Sequence, residues 1–321
     1  MKNRLIILGV SLVVVLFVSI SPAMADSVEI SLFSSLTDAV TQINSSDKTL
    51  YIGFPTTITA DTVVPSNISI VMEYPGRINL QGHSLTINGH FSSGYYQVIA
   101  GSGSVVFGQN VVKEVIVDWF GTDVAAAQRA INTAANSGHK DVRFLAKTYS
   151  LTDNLYLAYS AASNTTYPSG AREQGRMTIR GSGGVMDTSS VRNSDRQGSC
   201  LVFDANKGIV AEGSMASQIK HLRLENINII GNHAQFLVDY DYVTSGSGFD
   251  HVMIYNSNTV GSGLDWTNIW QIHNSNVWIV SSSSSTSGVG LRMRNDGGYA
   301  GGHVSFHGTI IGWGTGVELG H

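Results

Sequence analysis

Cys200 is the only cysteine in the chain, so no intrachain disulfide framework holds it together. The thiol sits in Ser199-Cys200-Leu201-Val202-Phe203, a strand-like run where a small, buried, apolar role fits better than a reactive one. Proline is also scarce, at 5 residues, and charged side chains make up 13%. There is no basic excess: 19 Lys and Arg stand against 23 Asp and Glu, a formal net charge of −4. Two of the bases, Lys2 and Arg4, lie in the first few residues, so the rest is more acidic still. That argues against nucleic acid and anionic membrane surfaces as partners. Beyond Ile20 no apolar run is long enough to cross a bilayer. His-Glu-x-x-His, a nucleotide-binding glycine loop and Gly-x-Ser-x-Gly are all missing. What is plentiful is Gly, Ser and Asn, a composition suited to many short strands joined by tight turns.

One pattern returns four times between Ile219 and Leu319: Leu222-Arg223-Leu224-Glu225-Asn226, Val252-Met253-Ile254-Tyr255-Asn256, Trp270-Gln271-Ile272-His273-Asn274 and Val304-Ser305-Phe306-His307-Gly308. Each copy alternates apolar and polar residues and ends on a turn residue, the two-residue period of a strand with one buried face. A second pattern starts on glycine: Gly263-Leu264-Asp265-Trp266, Gly290-Leu291-Arg292-Met293 and Gly316-Val317-Glu318-Leu319. Two interleaved repeats of similar spacing predict a coil carrying at least two strands. A strand with one apolar face buries it by stacking coil on coil. The predicted fold is therefore all-β, a parallel β-helix (solenoid). Its expected inward columns are Leu224, Ile254, Ile272, Phe306 and Leu222, Val252, Trp270, Val304. Asn226, Asn256 and Asn274 are expected at one shared corner, where asparagine tolerates a left-handed backbone and amide side chains can form a ladder.

In chain order, Met1 to Ala25 reads as a signal peptide, with a charged start, an apolar run and Ala23-Met24-Ala25 as a cleavage site. An uncleaved anchor is the rival reading. The expected destination is export: secreted, periplasmic or cell surface. Residues 26–117 read as a β-rich N-terminal segment after a short helix around Leu36, Val40 and Ile43, with Ser34 or Ser35 as its cap. Expected strands are Thr49 to Gly53, Ile68 to Met72, Ser84 to Gly89 and Ser104 to Phe107. Residues 118–321 form the second unit. It opens on Asp118-Trp119-Phe120-Gly121-Thr122-Asp123 and an Ala-rich helix from Val124 with Thr122 or Asp123 as cap. Asp141 to Leu145, Lys147-Thr148-Tyr149 and Ile179-Arg180-Gly181-Ser182-Gly183 follow.

That succession of Phe-Gly, Ala-rich helix containing Ala130-Ile131, strand, Thr-Tyr and Ile-Arg-Gly-x-Gly resembles the opening of the pectate-lyase-superfamily β-helix. It is the version also found in rhamnogalacturonase/epimerase-like domains and phage tailspikes. The resemblance implies a right-handed parallel β-helix, a helix that caps the N-terminal end of the solenoid, and a polysaccharide as partner. A Gly-Asp-Gly after Phe-Gly is missing, and a Phe-Pro-x-Gly-Thr-Tyr has become Phe144-Leu145-Ala146-Lys147-Thr148-Tyr149. The signal peptide disfavours a tailspike. Of the polygalacturonase signatures only His307-Gly308 is present; Phe249-Asp250-His251 is similar to a pectate-lyase motif without its Trp.

Two stripes carry the candidate chemistry. Glu225, Tyr255, His273 and His307 are the expected glycan-binding column. Asp265, Arg292 and Glu318 are the candidate catalytic column: a carboxylate for proton transfer, an arginine to hold or deprotonate a uronate. The same acid–Arg–acid column also reads as an ion ladder that only compensates charge. Asp239-x-Asp241 with Asp250 could hold Ca²⁺, though no specific motif supports a metal. Trp266 and Trp270 are expected in the core; Trp278 and Trp313 stay open as sugar-stacking platforms. The last strand, Gly316 to Leu319, has nothing in the sequence to cover it, which implies a fragment or a homo-oligomer through the final coil. The functional expectation is a β-helix engaging extracellular polysaccharide, either as a lyase or glycoside hydrolase or as a non-catalytic surface binder.

Overall fold

The computed structural model describes residues 26–138, 141–159, 177–183, 198–214, 218–258, 260–281, 287–295 and 304–320. The signal-peptide reading of Met1 to Ala25 falls outside them. The described chain is all-β apart from short helices, and its strands pair in parallel in several stacked sheets. Partners in most pairs lie roughly 20 to 30 residues apart in sequence, as coil stacked on coil requires. This arrangement fits a parallel β-helix.

Three sheets are built before Phe107. Lys48–Ile52 lies between Asp26–Glu29 and Ile68–Met72, with Phe91–Ser92 next. Pro55–Thr57, Arg77–Asn79 and Ile99–Ala100 make the second, and Thr62–Val64, Ser84–Ile87 and Ser104–Phe107 the third. Leu50, Ile70, Ile78, Leu85 and Ile87 are fully buried between them. The strands of the second sheet escape the sequence pattern because two or three residues are too short to show alternation. Helix α1, Leu36–Ile43, is capped by Ser35, whose side chain accepts from the Asp38 N–H. It turns Leu36, Ala39 and Ile43 onto the core.

Helix α2, Val124–Asn136, is capped by Asp123, which accepts from the Ala126 N–H. Its alanine face and Ile131 are buried. The helix lies against both Ser104–Phe107 and Glu114–Ile116, and the Phe107 N–H donates to Ser137 Oγ at 2.8 Å. It is thus a joint between the earlier and later coils, where the resemblance implies a cap on an open end. Beside it, Asp118 is buried in the turn Val117–Trp119. Asp118 Oδ2 accepts from the Tyr149 hydroxyl at 2.5 Å, its other oxygen pairs with Lys147, and the Leu145 N–H donates to the Tyr149 oxygen. Burial, and then Asp118 itself, push the Tyr149 phenol upward.

The later coils form a long sheet and a second one facing it. The long sheet passes through Met177–Arg180, Leu222–Gly231, Gly248–Asn256, His273–Ser281 and Ser305–Ile311. Its core column is Leu201, Ile229, Ile254, Ile279 and Ile310. The expected columns are corrected here: Leu224 pairs with Phe249, and Ile254 with Ile229 and Ile279. Each long strand bends at a left-handed residue and so contains two alternating stretches. The repeat read from sequence mixes the first stretch of one coil with the second of the next.

The shared corner exists with other occupants. Asn226, His251 and Asn276 have φ of 55°, 51° and 53°, and their neighbours Glu225, Asp250 and Ser275 are in register. Asn276 Nδ2 and His251 Nε2 are 3.3 Å apart. A Cβ on Gly181, which follows Arg180 one coil earlier, would collide with the Asn226 carbonyl. Asn256 and Asn274 lie elsewhere and are buried. Asn256 donates to the carbonyls of His233 and Ser262, while Asn274 accepts from the Phe249 N–H and donates to the Ser305 carbonyl.

Trp266 is a core residue, stacked on Phe249 at 5.8 Å. Trp270 is not: Ile269 and Ile272 are buried on either side of it and its ring is half-exposed. Neither Trp278 nor Trp313 is an open platform. Trp278 packs on Cys200, Ile230 and Met253 outside the long sheet, and Trp313 Nε1 donates to the Ile279 carbonyl. Cys200 is buried, on the outer face of its strand.

Candidate functional site

The second sheet runs through Leu155–Tyr159, Ile209–Glu212, Phe236–Asp241, Ser262–Thr267, Val289–Arg294 and Thr315–Leu319. Its inward residues are apolar: Ile209 and Ala211, Val238 and Tyr240, Leu264 and Trp266, then Leu291. Strand alternation turns the residues between them to the other face. Register then stacks two columns there, polar except for Val210. One is Val210, Asp239, Asp265, Arg292 and Glu318; the other is Glu212, Asp241, Thr267 and Arg294. The candidate catalytic residues Asp265, Arg292 and Glu318 are thus brought together, on successive coils about 4.8 Å apart. The glycine-led repeat aligned them correctly because each copy enters its strand at the same point.

Their chemistry is partly committed to one another. Arg294 Nη2 donates to Asp265 Oδ2 at 2.6 Å, and the Asp265 side chain is 1% exposed. Arg292 Nε donates to Glu318 Oε2 at 3.0 Å, and its guanidinium lies 4.8 Å over the Phe236 ring. Asn268 donates to Asp241 Oδ1 at 3.0 Å.

Asp239 differs from these. It is half-exposed and lines two adjoining hollows. One, of about 200 Å³, includes Glu212, Asp241, Thr267 and Arg294; the other, of about 470 Å³, includes Phe236, Asp265, Arg292 and Arg294. Burial, then the charges of Asp265 and Asp241, push its carboxyl up to about 6 against the counteracting pull of Arg294. Burial, then Asp241, also raises Glu212. A carboxyl that keeps its proton into the weakly acidic range, in a hollow beside other carboxylates, can act as a general acid. The sequence does not single it out: Asp239 and Asp241 alternate on Phe236–Asp241, a spacing that by itself suggests only a loose cation site. Arg294, two residues beyond Arg292 on the same face, was the other signal.

The expected glycan-binding column does not form. Glu225 stacks between Arg180 and Asp250 and is paired with Arg180 at 3.1 Å and Arg223 at 3.1 Å. Tyr255 is paired with Ile230 and Val280 and packs on the outer apolar cluster. His273 Nδ1 contacts Ser305 Oγ at 3.0 Å. His307 is exposed in an irregular stretch, between Phe306, which pairs with Asn274, and Gly308, which pairs with Val277. These residues come from different columns, for the same register reason as the core.

Asp250 is likewise on the long sheet, bonded to Ser275 and, at 2.9 Å, to His251, away from Asp239 and Asp241. Among the described residues no three His, Cys, Asp or Glu side chains are grouped to hold a metal ion. Comparison with protein-family models, curated proteins and solved structures gave no match to this chain.

Proposed function

We propose that the protein is an exported right-handed parallel β-helix of the pectate-lyase-superfamily type that engages extracellular polysaccharide and hydrolyses it at the acid-lined hollow. The observation that carries the reading is Asp239, a carboxyl pushed up to about 6 at the meeting of two hollows. Asp239 gives its proton to the glycosidic oxygen as the C–O bond breaks. A water adds to the sugar carbon, and its proton passes to Asp241 on the same face. Elimination fits less well, because Arg292 and Arg294 are engaged by Glu318 and Asp265 and the surplus of carboxylates repels a uronate.

The test is incubation with a panel of neutral and uronic-acid polysaccharides, following reducing ends and the ultraviolet absorbance of unsaturated products. Reducing ends without absorbance, lost in Asp239→Asn, are expected. Absorbance instead would mean a lyase. Silence in both with binding retained would leave the second reading, a non-catalytic binder in which Asp265–Arg294 and Arg292–Glu318 serve as an ion ladder.

A further inference from the structure

Among the described residues the aromatic side chains left exposed are Phe54, Tyr74 and Tyr95, at 61%, 81% and 66%. All three lie at one corner, between the first and second sheets of the early coils. Phe54 joins Lys48–Ile52 to Pro55–Thr57, Tyr74 joins Ile68–Met72 to Arg77–Asn79, and Tyr95 joins Phe91–Ser92 to Ile99–Ala100. The flanking strands are paired coil to coil, Ile52 with Met72, Pro55 with Arg77 and Ile78 with Ile99. The rings therefore fall on successive coils, with a rise of about 4.8 Å at each step.

The corner is held from behind. Tyr96 meets the Tyr74 ring edge-on at 5.4 Å, and Trp119 Nε1 donates to the Gly94 carbonyl at 3.1 Å. Rings on a fixed support bind at little cost in conformational entropy. Glu73 and Arg77, both exposed, flank the row, one acid and one base, so the rim carries no net sign. Polar groups, among them Ser92 and the tyrosine hydroxyls, interrupt the apolar area. A continuous aliphatic partner would leave them unpaired, whereas a sugar ring offers an apolar C–H face and hydroxyls at its edge.

From this we infer a second glycan-contact surface at Phe54, Tyr74 and Tyr95, taking an uncharged polysaccharide strand that lies across the coils by ring stacking. The inference rests on the reading that the protein engages polysaccharide, and it adds a site apart from the Asp239 hollow, together with the charge class of its ligand. The test is affinity electrophoresis of the full chain through gels containing a neutral β-glucan, xylan or mannan, with polygalacturonate in parallel. Tyr74→Ala/Tyr95→Ala should weaken retention by one of the neutral glycans about tenfold. Tyr74→Phe/Tyr95→Phe should retain it. Unchanged retention in the alanine pair, no retention of the unaltered chain by any neutral glycan, or preference for polygalacturonate would each overturn the inference. So would a change of oligomeric state by ultracentrifugation in the alanine pair, which would assign the corner to a second copy. The hollow is judged separately, by reducing ends alone.

Discussion

Asp239 joins the proposed chemistry to the stability of the fold. Its carboxyl binds a proton up to about pH 6, where the unperturbed group releases it near 3.8. Between those values the folded chain holds more protons than the unfolded one, so stability falls as pH rises from about 4 to about 6 and then levels off. Glu212 acts in the same sense. The loss at Asp239 is at most about 3 kcal/mol and is reduced by solvent screening of its exposed part. Asp239→Asn should therefore flatten the fall in melting temperature between pH 4 and 6 and melt higher than the unaltered chain at pH 7. A steeper fall in the variant would contradict this. The buried Asp118 contributes through its partners, Lys147 and the Tyr149 hydroxyl. Asp118→Asn leaves Lys147 without its partner and weakens the bond to Tyr149, at an expected cost of about 1–3 kcal/mol in urea unfolding. An unchanged midpoint would mean that the network contributes nothing.

At the scale of elements, corners and caps set where strands and helices stop. Asn276 holds φ at 53°, a conformation glycine adopts freely and a β-branched residue does not. Asn276→Gly should be close to neutral, and Asn276→Val should cost about 1–3 kcal/mol; equal effects would show that the amide contact matters more than the backbone. The helix starts were legible in the sequence to within a residue, since Ser35 and Asp123 are side-chain caps with an apolar period behind them. The strands Ile68–Met72 and Ser104–Phe107 were legible for the same kind of reason. Register on the long sheet was not. Val252 and Leu222 sit in look-alike alternating runs, but a left-handed residue inside each strand shifts the inward set by one, and His251 gave no asparagine to mark it. The site was half legible: Asp265, Arg292 and Glu318 stack as the glycine-led repeat requires. What raises Asp239 is burial and the carboxylates across the coil, which depend on register and on what covers the face.

For the whole molecule, stacking makes stability a sum of neighbouring-coil terms. Ile254 is fully buried between Ile229 and Ile279, and Ile254→Ala should cost about 2–5 kcal/mol. Hydrogen exchange should report that loss in Leu222–Gly231, Gly248–Asn256 and His273–Ser281, leaving Lys48–Ile52 and Ile68–Met72 protected as before. Equal loss in both regions would mean that α2 welds the early and later coils into one cooperative unit. The same architecture supplies its own gauge of such opening. Cys200 is 1% exposed beneath Met253 and Ile230 and accepts from Asn228 Nδ2 at 3.6 Å. With no second sulfhydryl to confuse the signal, the pace at which an alkylating reagent finds it is a direct clock of how often the middle of the stack comes apart.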